Sequence, residues 1–235
     1  MAKGCPQGWP FAVFRRGQKE QKGRKGRKGR KGREKCCDCW SNALSLQKSI
    51  VMEQSKFLTQ KNNYRNLIAY QKAECIYDIT YYFAHNFLDA KDRTIDQMIQ
   101  AARSGKQNIA EGECAATTST ETELKLLNVA RASLQELLTD YEDFLRVRGL
   151  CKWSSECEKH QQARKVCKEH SDSDFYRQAI QTRSAETIAN IAIILIYQTD
   201  TLLNGLFERR KADFLKNGGI REELTRARIQ TRNTR

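Results

Sequence analysis

Apolar positions spaced in alternating steps of three and four mark four long segments of this chain, each the pattern of a helix turning one stripe toward a core. The first spans Tyr64 to Phe87, with Ala69, Ala73, Ile76, Thr80, Phe83 and Phe87 on the stripe. Tyr77, Tyr81 and Tyr82 widen that face or meet a second partner. Asp89 to Asp92 form a polar break, after which Asp92 or Thr94 can cap a second helix, with Gln97 closing a box on Thr94. Helix two carries Ile95, Met98, Ile99, Ala102 and Ile109 inward, and Gly112 is placed to end it in the left-handed conformation.

The connection from Cys114 to Thr120 is small and polar, and Thr118-x-x-Glu121 and Thr120-x-x-Glu123 are alternative capping boxes for helix three. That helix runs from Glu121 to Arg148 and stops at Gly149, with Leu127, Ala130, Leu134, Leu137, Tyr141 and Phe144 inward. Residues 151–182 form a polar insert with one or two short helices. Ser184 then caps helix four, placed over 183–217, with Glu186 favourably near its N-terminus. Ile188, Ala192, Leu195, Thr199, Leu202 and Leu206 form its stripe, and Asn217-Gly218-Gly219 ends it. Residues 218–235 read as a basic C-terminal tail.

Helices one to three over 64–150, an insert and a fourth helix predict an all-α fold, an antiparallel four-helix bundle. Helix four is apolar on more than one side, with Ile191, Ile193, Ile194, Ile196 and Leu203 off the stripe. A second apolar face needs a second surface, and a subunit interface is the expectation. Its longest apolar run, Ile188 to Tyr197, is interrupted by Asn190 and is far short of the roughly 20 residues that span a membrane.

Composition changes this picture at the N-terminus. The only prolines are Pro6 and Pro10, so long helices are unopposed beyond them. The net charge of +14 is concentrated: residues 1–51 hold 14 Lys/Arg against 3 Asp/Glu, leaving 28 against 25 for the rest. Lys-Gly-Arg repeats four times between Lys22 and Arg33, and like charges with nothing apolar to bury predict a disordered basic low-complexity arm. Such an arm would bind nucleic acid by counterion release. The competing reading is that Met52 is the true start and residues 1–51 are upstream sequence. Nine cysteines without a signal peptide read as reduced thiols of a cytoplasmic protein.

Three constellations carry candidate chemistry. Arg103 and Lys106 share a face of helix two, and with Arg93 and Arg131 they could form a basic strip for phosphates. The bland alternative is a solvated face balanced by Glu123, Glu136 and Asp140. Cys157-x-x-His160 and Cys167-x-x-His170 have zinc-ligand residue types, but on one continuous helix the pairs lie about 15 Å apart, so they are weak candidates. Cys36, Cys37 and Cys39 have no nearby histidine. Enzyme signatures are missing: Tyr82, Cys157 and Cys167 stand where a di-iron Glu-x-x-His would need Glu, and Gly105-Lys106 lacks a phosphate loop's earlier glycine. No Gly-x-Ser-x-Gly elbow occurs either. No cofactor is expected.

The stretch from Leu67 to Leu150 resembles the four-helix bundle family of the 23S ribosomal RNA intervening-sequence proteins. Tyr70-Gln71-Lys72-Ala73, Asn108-Ile109-Ala110-Glu111-Gly112 and Ala130-Arg131-Ala132-Ser133-Leu134-Gln135-Glu136-Leu137 carry the resemblance. That family includes the accessory protein of diversity-generating retroelements. With Arg183-Ser184-Ala185-Glu186-Thr187-Ile188-Ala189-Asn190, the chain looks closest to the four-helix-bundle suffix-domain branch. Lys106 stands where the family usually has proline. The resemblance implies a bacterial-type cytosolic bundle, often a homopentamer, with a basic surface for RNA or DNA. The accessory protein works beside a reverse transcriptase, so a nucleic-acid enzyme of that kind is a candidate partner, and the resemblance does not imply catalysis. Asn108 and Glu111 are expected to be structural, in a turn-closing hydrogen bond and a helix-end contact. Two functions follow: a non-enzymatic homo-oligomeric accessory or scaffold protein associated with nucleic acid, or a protein–protein interaction module docking through helix four and the tail.

Overall fold

A computed structural model describes residues 63–233; their regular structure is all helical, with no strand among them. Seven α-helices follow a single 3-10 turn at Tyr64–Asn66: α1 Ile68–Phe87, α2 Thr94–Ala115, α3 Thr120–Val147, α4 Glu158–Glu169, α5 Ser173–Ile180, α6 Ala185–Asn217 and α7 Ile220–Asn233. The readings of residues 1–51, including Cys36, Cys37 and Cys39, lie outside the described residues. None of the described helices is long and apolar enough to cross a membrane.

Four helices share the core. α2 packs against α1 and α3, and α6 packs against the same two from the other side. α1 meets α3 across the interior through side chains, with the Phe83 ring 5.0 Å from Tyr141 and 4.7 Å from Phe144. The one polar link there is satisfied: the Tyr141 hydroxyl donates to Thr80 Oγ1 at 3.0 Å, and Thr80 donates to the Ile76 carbonyl. The predicted stripes supply this core, with Ala73, Ile76, Phe83, Met98, Ile109, Leu134, Leu137, Ile188 and Leu195 all fully buried.

Several helix ends differ from expectation. Leu67 is extended, so α1 begins at Ile68, and the preceding turn is held by the Asn63 side chain accepting from Arg65 N. Helix two runs through Gly112 to Ala115, and Gly112 is not left-handed; Gly149 and Gly218 are the positive-φ glycines among the described residues. The Ala116 amide donates to the Gly112 carbonyl, continuing the helix, while the hydroxyls of Thr117 and Thr118 donate to the carbonyls of Cys114 and Ala115. Side-chain donors thus satisfy the last turn, and a glycine cap is not needed. Neither proposed box caps α3; Ser119 does, accepting from Thr122 N at 3.2 Å. The Asp92 carboxylate accepts from Thr94 N at 2.9 Å, as expected of a cap, but Gln97 closes no box on Thr94. Ser184 caps α6 as predicted.

The second apolar face of α6 is covered within the chain. Ile191, Ile193, Ile194, Ile196 and Leu203 are all buried. Residues 151–182 fold as α4, which packs on α6, and α5, which packs on α1. Asn190, the polar residue inside the apolar run, anchors this region: its Oδ1 accepts from Trp153 N at 2.8 Å, and its Nδ2 donates to the Cys151 and Glu186 carbonyls. Lys72 is buried with its ammonium donating to the carbonyls of Cys167 and His170 at the C-terminal end of α4. A cation suits the negative end of a helix. Burial pulls the Lys72 pKa below its usual range.

Candidate nucleic-acid interface

The packing of α2 between α1 and α3 decides which basic side chains can act together. Gly105 faces α3 so closely that a Cβ there would lie 2.9 Å from Leu134 Cδ2. The next residue, Lys106, turns about 100° around the helix, toward α1. Its Nζ sits 4.3 Å from the centroid of the Tyr77 ring, a cation–π contact. Arg103, one turn earlier, is exposed and forms no ion pair among the described residues.

The remaining members of the predicted strip are elsewhere. Arg93 is exposed at the start of α2, ten residues and about 15 Å along the helix from Arg103. Arg131 is half-buried against α6, where its Nε donates to Asp200 Oδ1 at 2.9 Å. Its charge is engaged in holding two helices, and the strip shortens to Arg103 and Lys106.

Beside that pair runs an aromatic row that periodicity had marked only as a widened face. Tyr77, Tyr81 and His85 recur every four residues on α1, with ring centroids 6.4 Å and 4.3 Å apart. His85 Nδ1 donates to the Tyr81 carbonyl at 2.8 Å, which fixes the imidazole against the Tyr81 ring. Tyr81 is 50% exposed.

The Asn108–Gly112 stretch lies within α2, and its polar contacts run along and between helices. Asn108 Nδ2 donates to the Ser104 carbonyl at 2.9 Å and to Ser104 Oγ at 3.1 Å, and Ser104 Oγ meets Ser133 Oγ at 2.9 Å. The expected turn-closing bond is instead a link within α2 that continues into α3. Ile109 and Gly112 are buried and Ala110 half-buried, while Glu111 is exposed within the helix and not at its end.

No group of three or more His, Cys, Asp or Glu that could hold a metal occurs among the described residues. α4 is continuous between Cys157 and Cys167, which keeps the two candidate pairs apart. Cys167 is buried, and burial pushes its thiol up to about 11. The His170 ring stacks on Phe175 at 3.9 Å. His160 and Cys157 converge with neither.

One buried charge cluster was not legible from spacing. Glu113 near the end of α2 and Glu123 in the first turn of α3 are only 3% and 2% exposed, and both face Arg210 of α6. Arg210 Nε lies 2.7 Å from Glu123 Oε1, and its Nη2 lies 3.3 Å from Glu113 Oε2. The Nε contact is ionic rather than an aligned hydrogen bond. Burial raises the Glu123 pKa, with Arg210 pulling it down and Glu113 pushing it up. The cluster ties α6 to the turn between α2 and α3.

From Arg209 onward, Arg210 apart, the chain presents cations outward. Arg209, Lys211 and Lys216 are exposed on the last turns of α6, and α7 buries no residue. The acids of α7, Glu222 and Glu223, sit in its first turn, where Glu222 accepts from Gly219 N at 2.9 Å. From Leu224 to Asn233 the helix carries Arg226, Arg228 and Arg232 and no acid. The expected tail is therefore helical. No protein family, no curated protein and no solved structure matches this chain.

Proposed function

We propose that this protein is a cytoplasmic, non-enzymatic accessory or scaffold protein that associates with nucleic acid, built on an antiparallel four-helix bundle of α1, α2, α3 and α6 with α4 and α5 as an insert. The observation that carries the reading is α7, which contributes nothing to the core yet keeps a run of arginines without acids. A helix that buries none of its residues in its own domain, with even Ile229 52% exposed, serves what it meets outside it. Cations at helical spacing contact phosphates without reading bases. The short connections 88–93 and 116–119, together with the packing of each long helix on two others, support the bundle arrangement.

Self-association enters this proposal through the family resemblance alone, because the apolar residues of α6 that argued for a subunit interface are covered by α4 and its flanking loop. A nucleic-acid enzyme such as a reverse transcriptase as partner rests on the same resemblance. A second reading has one observation of its own. Phe214 and Leu215 are exposed on α6, Leu215 at 75%, and would suit a protein partner without nucleic acid.

Anisotropy titrations of the full chain with labelled RNA and DNA over a salt series separate the two. The expected result is log affinity falling linearly with log salt, with Arg228→Glu plus Arg232→Glu making the slope shallower by about one to two. Absence of binding at low salt would sink the nucleic-acid reading and leave the apolar arm as the docking element.

A further inference from the structure

We infer that the row Tyr77–Tyr81–His85 on α1, flanked by Arg103 and Lys106 of α2, is a stacking platform for unpaired bases, so that the nucleic acid bound is single-stranded. This deepens the function proposed above and rests on it. α1 already turns a complete stripe inward through Ala73, Ile76, Thr80 and Phe83, so the row adds little to the core. Half of Tyr81 faces solvent, and its hydroxyl has no hydrogen-bond partner among the described residues. An exposed aromatic face gains from a flat partner, and a nucleobase supplies one whatever its identity.

The geometry is pre-set rather than loose. The His85 imidazole is fixed by its bond to the Tyr81 carbonyl, and the Tyr77 ring is covered by Lys106. Tyr81, with His85 packed at 4.3 Å and Tyr77 at 6.4 Å, still keeps half of its surface exposed. Arg103 shares the face of Lys106, one turn along α2, which sets two cations beside the row where a strand's phosphates would run. The acids nearest on α1 are Glu74 and Asp78, and Asp78 is engaged, accepting from Ser173 Oγ and lying 3.8 Å from Arg177. A duplex keeps its base faces stacked inside, so it could use the cations but not Tyr81.

The test titrates the full chain with four labelled probes of equal length: oligouridylate, oligothymidylate, an abasic deoxyribose-phosphate strand and a DNA duplex. At one salt concentration, the base-bearing strands should bind more tightly than the abasic strand. Tyr81→Ala should weaken the base-bearing strands about tenfold, leave the abasic strand and duplex unchanged, and Tyr81→Phe should restore binding. Arg103→Glu should weaken all four. Comparison of the uridylate and thymidylate arms identifies RNA or DNA as the source of the bases. Binding that is indifferent to Tyr81→Ala, or equal for abasic and base-bearing strands, overturns the platform while leaving the wider function standing. Failure of all four probes to bind overturns both. Helix content measured on each variant keeps a folding defect from passing as lost stacking.

Discussion

The two halves of α6 obey different rules on one continuous helix. From Ile188 to Leu206 it is buried on several sides at once, while from Lys211 to Lys216 every residue is exposed. The change comes at Arg210, which reaches back to Glu113 and Glu123 at the α2–α3 turn. Arg210 is the last tether of α6 to the core. Residues 211–217 continue about 10 Å past it, and α7 follows. Burial ends where the neighbouring helices end, but the helix does not. The first half answers to packing; the second answers to whatever it meets.

That contrast sets an order of expected effects. Phe83→Ala, which opens a hole between Tyr141 and Phe144 in the shared interior, should cost about 3–5 kcal/mol in denaturant unfolding. Arg210→Met should cost about 3 kcal/mol, since it strands two buried carboxylates. A loss within about 0.5 kcal/mol, the range of an ordinary surface change, would show that the tether is ornamental.

The Glu123 carboxyl supplies a pH version of the same test. Its pKa is raised in the folded chain, so the folded state holds its proton to higher pH than the unfolded state does. Stability therefore falls as pH rises from the usual carboxylate range through the raised value. Glu123→Gln removes that dependence. Its melting temperature minus that of the wild type should increase between acid and neutral pH; a flat difference would assign the pH response to other groups.

Smaller effects sharpen the comparison. Arg131→Ala breaks a pair that is about a quarter exposed on each side and should cost about 1 kcal/mol or less. Leu215→Ala, in the outer half, should leave stability within about 0.5 kcal/mol. An equal loss at Leu215 and at Phe83 would erase the distinction between the halves.

The long helices and their inward stripes were legible because a three-four repeat has one structural meaning over this length. Gly149, Ser184 and the Asn217-Gly218-Gly219 stop were legible for a related reason: their roles are set by local backbone chemistry. What spacing could not show was cross-helix. Nothing local distinguishes Glu123, buried against Arg210, from the exposed Glu121 of the same first turn, which pairs with Lys125. Arg131 sits among polar neighbours in sequence, and only the approach of α6 reveals Asp200 as its partner. The apolar excess of α6 signals a second covering surface, and in the structure that cover, rather than another subunit, is the polar-looking stretch 151–182. Its few buried residues, Trp153, Ala163, Cys167, Tyr176 and Ile180, are spread too thinly to register as a stripe. Two members of the aromatic row, Tyr77 and Tyr81, stand out in the sequence as a widened face, but His85 does not, and the pairing with Lys106 depends on the hairpin between α1 and α2.

Gly105 bears on that pairing. Leu134 fills the space a side chain at Gly105 would need, so the close fit of α2 on α3 rests on the missing Cβ. Sliding α2 by one residue would bring Ser104 or Lys106 against Leu134 and swing the cations off the tyrosines. The missing side chain is therefore a gauge for a surface about 100° around its own helix. Gly105→Val should cost about 2 kcal/mol by overpacking. Its second signature is positional: it should also misalign Lys106 from Tyr77, even in molecules that remain folded.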